Sequence, residues 1–180
     1  MKVLLVNGSP HEHGCTYTAL NEMEGVFAKH GIETEILWLG KGDVPGCMGC
    51  GACRKIGKCV RSDVVNETAA KLGDYDALVV GSPVYYAAPN GQICAFLDRL
   101  FYSAGGKLAG KLGAAVVSCR RGGASAAFDR LNKYFTINCM PIVSSNYWNQ
   151  IHGNTAEEAK QDLEGLQTMR TLAGNMAWLP

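Results

Sequence analysis

Hydrophobic positions along the chain fall into two alternating kinds of segment. KVLLV (2–6), IETEILWL (32–39), ALVVGSP (77–83), KLGAAVVSC (111–119) and PIVSS (141–145) are short, nearly continuous apolar runs, the pattern of strands buried on both faces. Between them the apolar residues recur every three or four positions. Tyr17, Leu20, Met23 and Phe27 form one such stripe, and Ile93, Leu97, Leu100 and Phe101 another. Gly31 suits the end of the first helix. Ser62 or Asp63 can cap a helix reaching about Leu72, and ASAAFDRLNKYF predicts a further one. Thr155-x-x-Glu158 reads as a capping box opening a long last helix, with Leu163, Leu166, Met169, Leu172 and Met176 facing inward.

Strand and helix alternate five times, which predicts a parallel sheet with helices on both faces. Among doubly wound orders, five strands best suit the flavodoxin-like one, in which ligands bind beyond the carboxyl ends of the strands. The 180 residues are 47% hydrophobic and carry no repeat, low-complexity run or internal boundary, so residues 1–180 are expected to form one domain. A net charge of +1 gives no reason to expect nucleic acid. VLLVNGSP near the start is too short an apolar run for a signal or a membrane span, and a cytoplasmic location follows as the expectation.

That location bears on the cysteines. There are eight, and a reducing compartment argues against a disulfide framework. Cys15, Cys94, Cys119 and Cys139 are scattered and read as small core residues. Residues 44–60 form an insertion without periodicity, and within it CMGCGACRKIGKC places Cys47, Cys50, Cys53 and Cys59 as C-x2-C-x2-C-x5-C. Zinc usually takes two C-x2-C pairs separated by a longer loop, so this packing is tight for it, though zinc and free thiols remain alternatives. C-x2-C-x2-C wraps three corners of a [4Fe–4S] cube, and Cys59 is a consistent fourth ligand, with nearby glycines easing the turn.

The strand-to-helix loops carry the other candidate chemistry. GSPHEHGCTYT enters a helix, so its amides and the helix dipole favour an anion, with Ser9, Thr16 and Thr18 as hydroxyl donors and His11 and His13 as possible cations. G-x-G-x-x-G and G-x4-G-K-[ST] are both absent, which argues against a dinucleotide fingerprint and a nucleotide triphosphatase. A cysteine phosphatase needs an arginine six residues after its nucleophile; Asn21 and Ser125 stand there after Cys15 and Cys119. GSPVYYAAPNG offers Tyr85 and Tyr86 to a planar ring. SCRRGGAS offers Arg120 and Arg121 to an anion, and Gly122 and Gly123 to close backbone approach.

GSPHEHGCT and GSPVYYAAPNGQICAFLDRL together resemble the flavin loops of NADPH-dependent FMN reductases, and with the compact cysteines the chain resembles the iron–sulfur flavoproteins of that superfamily. The resemblance implies a flavodoxin-like fold, noncovalent FMN and a homodimer or homotetramer. It implies that Ser9, His11, Cys15 and Thr16 hold the phosphate, that Pro83, Val84, Tyr85 and Tyr86 line the flavin ring, and that residues 118–123, with Ser118, Arg120, Gly122 and Gly123, close its rim. Trp148 of a neighbouring subunit is a further candidate for the open flavin face. The expected activity is electron transfer between NAD(P)H or a ferredoxin-type donor and a small-molecule or protein acceptor. A non-enzymatic electron carrier and a cluster-free NAD(P)H-dependent FMN or quinone reductase are the rival expectations.

Overall fold

The computed structural model describes residues 1–179. Five parallel strands form the sheet: β1 (Lys2–Asn7), β2 (Glu33–Trp38), β3 (Ala77–Tyr85), β5 (Leu112–Cys119) and β6 (Gln150–His152). Their order is β2-β1-β3-β5-β6, the flavodoxin-like winding. A two-residue strand, β4 (Ala88–Pro89), turns back antiparallel on the end of β3.

Alternation along the strands divides the core in two. Val3, Leu5, Val79 and Val116 face α1 (Cys15–Lys29) and α7 (Leu163–Trp178), meeting Leu20, Met23, Phe27, Met169, Leu172 and Met176. Leu4, Val6, Leu78, Val80, Ala115 and Val117 face the opposite way. They meet α3 (Val64–Lys71), α4 (Gly91–Ala104) and α5 (Ala124–Ile137) through Val65, Phe96, Leu97, Leu100, Leu131 and Phe135. Each such side chain contributes about 1.5–3 kcal/mol by leaving water, and together they make the sheet a rigid base for the loops at its carboxyl end. No helix among the described residues is long and apolar enough to cross a membrane.

Three expectations change. The fifth parallel strand is Gln150–His152, not 141–145. Ile142 makes only an isolated bridge to Gly113, flanked by bonds from Gly113 N–H to the Pro141 carbonyl and from Val143 N–H to the Gly113 carbonyl, and the chain then leaves the sheet until Gln150 pairs with Val117. The long last helix is two helices. Thr155 caps the single turn α6 (Ala156–Ala159), and Asp162 caps α7 by accepting from Gly165 N–H at 2.9 Å. Leu163 therefore lies in the first turn of α7 and is 72% exposed rather than inward. Of the four scattered cysteines Cys119 is buried and Cys15 and Cys94 partly so, but Cys139 is exposed. It stands at a left-handed backbone position (φ 55°) just past α5.

Candidate functional site

Two cavities collect the chemistry foreseen in the sequence. The first, about 710 Å3, opens at the carboxyl ends of the strands and lies within the usual size of a small-molecule site. Asn7, at the end of β1, is fully buried and organises its first wall. Its Oδ1 accepts from Ser9 N–H (3.1 Å) and its Nδ2 donates to the Glu12 carbonyl (3.0 Å). Ser9 Oγ accepts from His11 N–H at 3.1 Å, curling the loop towards Gly14. Gly14 is the N-cap of α1 and supplies no side-chain cap, so the first N–H groups of a 15-residue helix are left to a ligand at this wall.

The loops meet across the cavity. Thr16 Oγ1 and Ser118 Oγ share a hydrogen bond of 2.8 Å, joining α1 to the end of β5. The Cys15 thiol points to the Gly153 and Thr155 carbonyls at 3.4 and 3.2 Å, and burial pushes its pKa up, so it stays a protonated donor. Asn90, 4% exposed, ties the β3–α4 loop to the first loop by donating Nδ2 to the Gly8 carbonyl. Pro83, Val84 and Tyr85 form the opposite wall, with Arg120 at the rim.

Ser9, His11, Cys15, Thr16, Pro83, Val84, Tyr85, Ser118 and Arg120 thus come together around one cavity. Thr18, Tyr86, Gly122 and Gly123 do not line it. Thr18 Oγ1 turns back to the Gly14 carbonyl at 3.1 Å. Tyr86 and Ala87 both have positive φ (51° and 59°) at the β3–β4 hairpin, as a two-residue turn of that hand demands, and the Tyr86 ring is fully exposed. Two non-glycine residues held there store strain beside the cavity. Gly123 packs on that hairpin, where a Cβ would stand 2.8 Å from Ala87 Cα. Trp148 packs on Tyr147 with its ring tilted 58° (ring centroids 5.0 Å apart), and both are exposed.

Sequence reasoning missed three contributors. Trp38 donates Nε1–H to the Ser9 carbonyl at 2.8 Å, Lys41 brings a cation from the loop after β2, and residues 153–157 close the far side. Lys41 lies outside any flavin-loop pattern, and only the 2-1-3 strand order carries it here. Amide donors at an uncapped helix, paired hydroxyls, one lysine and an apolar wall of suitable volume fit a phosphate-bearing planar cofactor such as FMN.

The second cavity, about 610 Å3, is lined by Cys47, Cys50, Cys53 and Cys59. Its loop turns at Gly49, Gly51 and Gly57, all at positive φ (66°, 69° and 72°), and contains the single-turn helix α2 (Cys53–Ile56). All four cysteines line this one cavity, and no three metal-ligating side chains among the described residues are grouped to hold a single ion. Cys59 is the anchored one. Asn66 brackets its backbone, accepting from Cys59 N–H at 3.1 Å and donating to its carbonyl at 2.8 Å. Burial alone would raise the Cys59 thiol pKa, but the Arg61 backbone N–H and the Arg99 guanidinium overcome this and hold it below the ordinary value. Arg61, also at this cavity, has a buried Nε with no partner. Four separate thiols, a neighbouring cation and an unused donor fit a sulfide-bearing cluster with one metal corner per cysteine.

Similarity to known proteins runs over nearly the whole chain. Residues 1–155 match the family model described as NADPH-dependent FMN reductase. An iron-sulfur flavoprotein of Methanocaldococcus jannaschii is 32% identical, over 98% of this chain and 96% of its own length. One from Methanosarcina thermophila is 29% identical, over 96% and 92% respectively. Among solved structures, RosB with a bound formylated riboflavin phosphate superposes with a TM-score of 0.77 at 15% identity, covering 98% of this chain and 77% of that one. A flavodoxin from the Archaea gives 0.66 at 17%, covering 98% and 96%. At such identities the two structures share the fold alone.

Proposed function

Since this chain belongs to the NADPH-dependent FMN reductase family, together with the iron-sulfur flavoproteins, we propose that it is an FMN-dependent oxidoreductase with a [4Fe–4S] cluster on Cys47, Cys50, Cys53 and Cys59. It passes electrons from NAD(P)H, or from a ferredoxin-type donor, to a small-molecule or protein acceptor, and it works as a homodimer or homotetramer. The observation that carries this reading is the pairing of the two cavities in one chain, one built of amides and hydroxyls and the other of thiols.

When bound, FMN supplies the redox chemistry, accepting two electrons and releasing them singly or in pairs. This chain's own residues bind, orient and tune. The uncapped start of α1 and the Thr16–Ser118 hydroxyls would hold the phosphate, with Lys41 offsetting its charge and His11 at the same wall. Pro83, Val84 and Tyr85 would wall the ring, with Arg120 at the rim. Cys15, held protonated between two carbonyls, fixes the 153–155 segment against α1.

Steady-state oxidation of NADH and NADPH by the FMN-loaded protein, with quinone or ferricyanide as acceptor, tests the enzymatic reading. Turnover with either nucleotide supports it. A flavin that dithionite reduces, with no turnover from NADH, NADPH or reduced ferredoxin, would overturn it in favour of an electron carrier.

A further inference from the structure

Arg99 is the largest fully buried side chain of the protein, only 1% exposed. It projects from α4 into the floor of the cysteine cavity. Burying a guanidinium is costly unless every donor is met. Here Nη1 and Nη2 grip Asp63 in a two-point pair (2.6 and 2.9 Å) and also reach the Pro45 and Arg61 carbonyls (3.3 and 3.2 Å). The remaining donor, Nε–H, points at Cys59 Sγ at 3.3 Å. Asp63 pairs with the guanidinium and is itself fixed as the N-cap of α3. The fork is therefore aimed by the protein's own groups. The Arg61 Nε, buried and unpartnered, is a second donor at the same cavity.

We propose that Arg99 is a positioning residue that presets Cys59 as one corner of the cluster, and that Arg99 and Arg61 together raise the cluster's midpoint potential, the free Arg61 Nε–H serving a cluster sulfur. This rests on the cluster reading above. Reduction adds one electron, taken from the reduced flavin or an external one-electron donor, and neither forms nor breaks a bond. It deepens the negative charge of a group already bound by thiolates. A buried cation and two N–H donors favour that more negative state. Losing Arg99 should lower the reduced-to-oxidised ratio at fixed potential about tenfold, or about 59 mV for a one-electron couple.

The test is a dye-mediated dithionite titration of anaerobically purified holoprotein, with iron and FMN assayed per chain. Arg99→Gln should keep its FMN, lose part of its iron and show a lower cluster potential. Arg99→Lys, which keeps the charge, should recover part of the potential. Arg61→Gln removes a side chain with an unpartnered Nε, so it should keep full iron with a smaller downward shift. If Arg99→Gln does not fold, Arg61→Gln and Arg99→Lys decide. Wild-type iron and potential in all folded variants would overturn the proposal alone. An unshifted Arg61→Gln beside a shifted Arg99→Gln would overturn the role of Arg61. Wild-type protein with FMN but no iron or sulfide would overturn the cluster reading, and this proposal with it.

Discussion

Replacing Asn90 by alanine should damage stability and flavin affinity together, because this one buried side chain serves both. Its Oδ1 accepts from Ile93 N–H at 2.8 Å and caps α4, and its Nδ2 donates to the carbonyl of Gly8, the residue before Ser9. Loss of an N-cap costs about 1 kcal/mol. A buried carbonyl deprived of its donor costs about 1–3 kcal/mol more. The expected destabilisation is therefore about 2–4 kcal/mol, read as a lower urea midpoint at unchanged slope in the FMN-free protein. Asn90→Asp separates the two roles, since a carboxylate still caps the helix but cannot donate to Gly8. It should keep the cap and lose the tether. The FMN dissociation constant should rise in both variants, tenfold for each ~1.4 kcal/mol of lost loop order. An Asn90→Ala loss below about 1 kcal/mol, or an Asn90→Asp variant matching wild type in both assays, would refute the tether.

Other consequences are as direct. Gly81→Ala would place a Cβ 2.8 Å from Thr16 Cγ2 and 3.1 Å from Leu20 Cδ1. The overpacking should cost about 1–3 kcal/mol by chemical denaturation and push the first turn of α1 away from the phosphate, weakening FMN in fluorescence titration. Glu35 accepts from Lys71 Nζ and the Tyr75 hydroxyl, which hold its carboxyl below its ordinary value near 4.5. The folded state is thus the weaker proton binder, so this stabilisation is complete above about pH 4.5 and is lost as pH falls through the lower folded value. Glu35→Gln should flatten that acid limb in a stability–pH series, and an unchanged limb would exclude the pair as its source. Cys50→Ser should abolish iron binding while leaving FMN content intact, because Cys50 lines only the second cavity. Loss of both cofactors together would contradict their separation.

The fold was legible where the sequence repeats a physical period. The runs in β1, β3 and β5 and the stripes of α1 and α4 recur often enough to fix type and facing, and Asp63 at the start of α3 is a cap with a plain signal. β6 was not legible, because three residues with one apolar centre carry no period, whereas PIVSS looks more strand-like yet makes only one bridge, to Gly113. The break at Asp162 was hidden for a related reason: Thr155 and Glu158 signal a helix start whether one turn follows or five. Local motifs revealed the residues of contiguous loops that line the first cavity, such as Ser9, Thr16 and Tyr85. They could not reveal Trp38, Lys41 or Asn90, whose roles arise from strand order, nor Arg99, which reads as one more residue of an amphipathic helix until Asp63 and Cys59 are brought against it.

The central claim is that one chain holds a flavin and a cluster in two separate cavities. The most direct measurement is the absorption spectrum of protein purified without oxygen, with iron, zinc, sulfide and FMN assayed on the same sample. The account predicts flavin bands over a broad iron–sulfur absorption, about one FMN and about four irons per chain, and matching sulfide. Flavin bands with no iron or sulfide, or with zinc in their place, would contradict it and leave a plain flavin reductase.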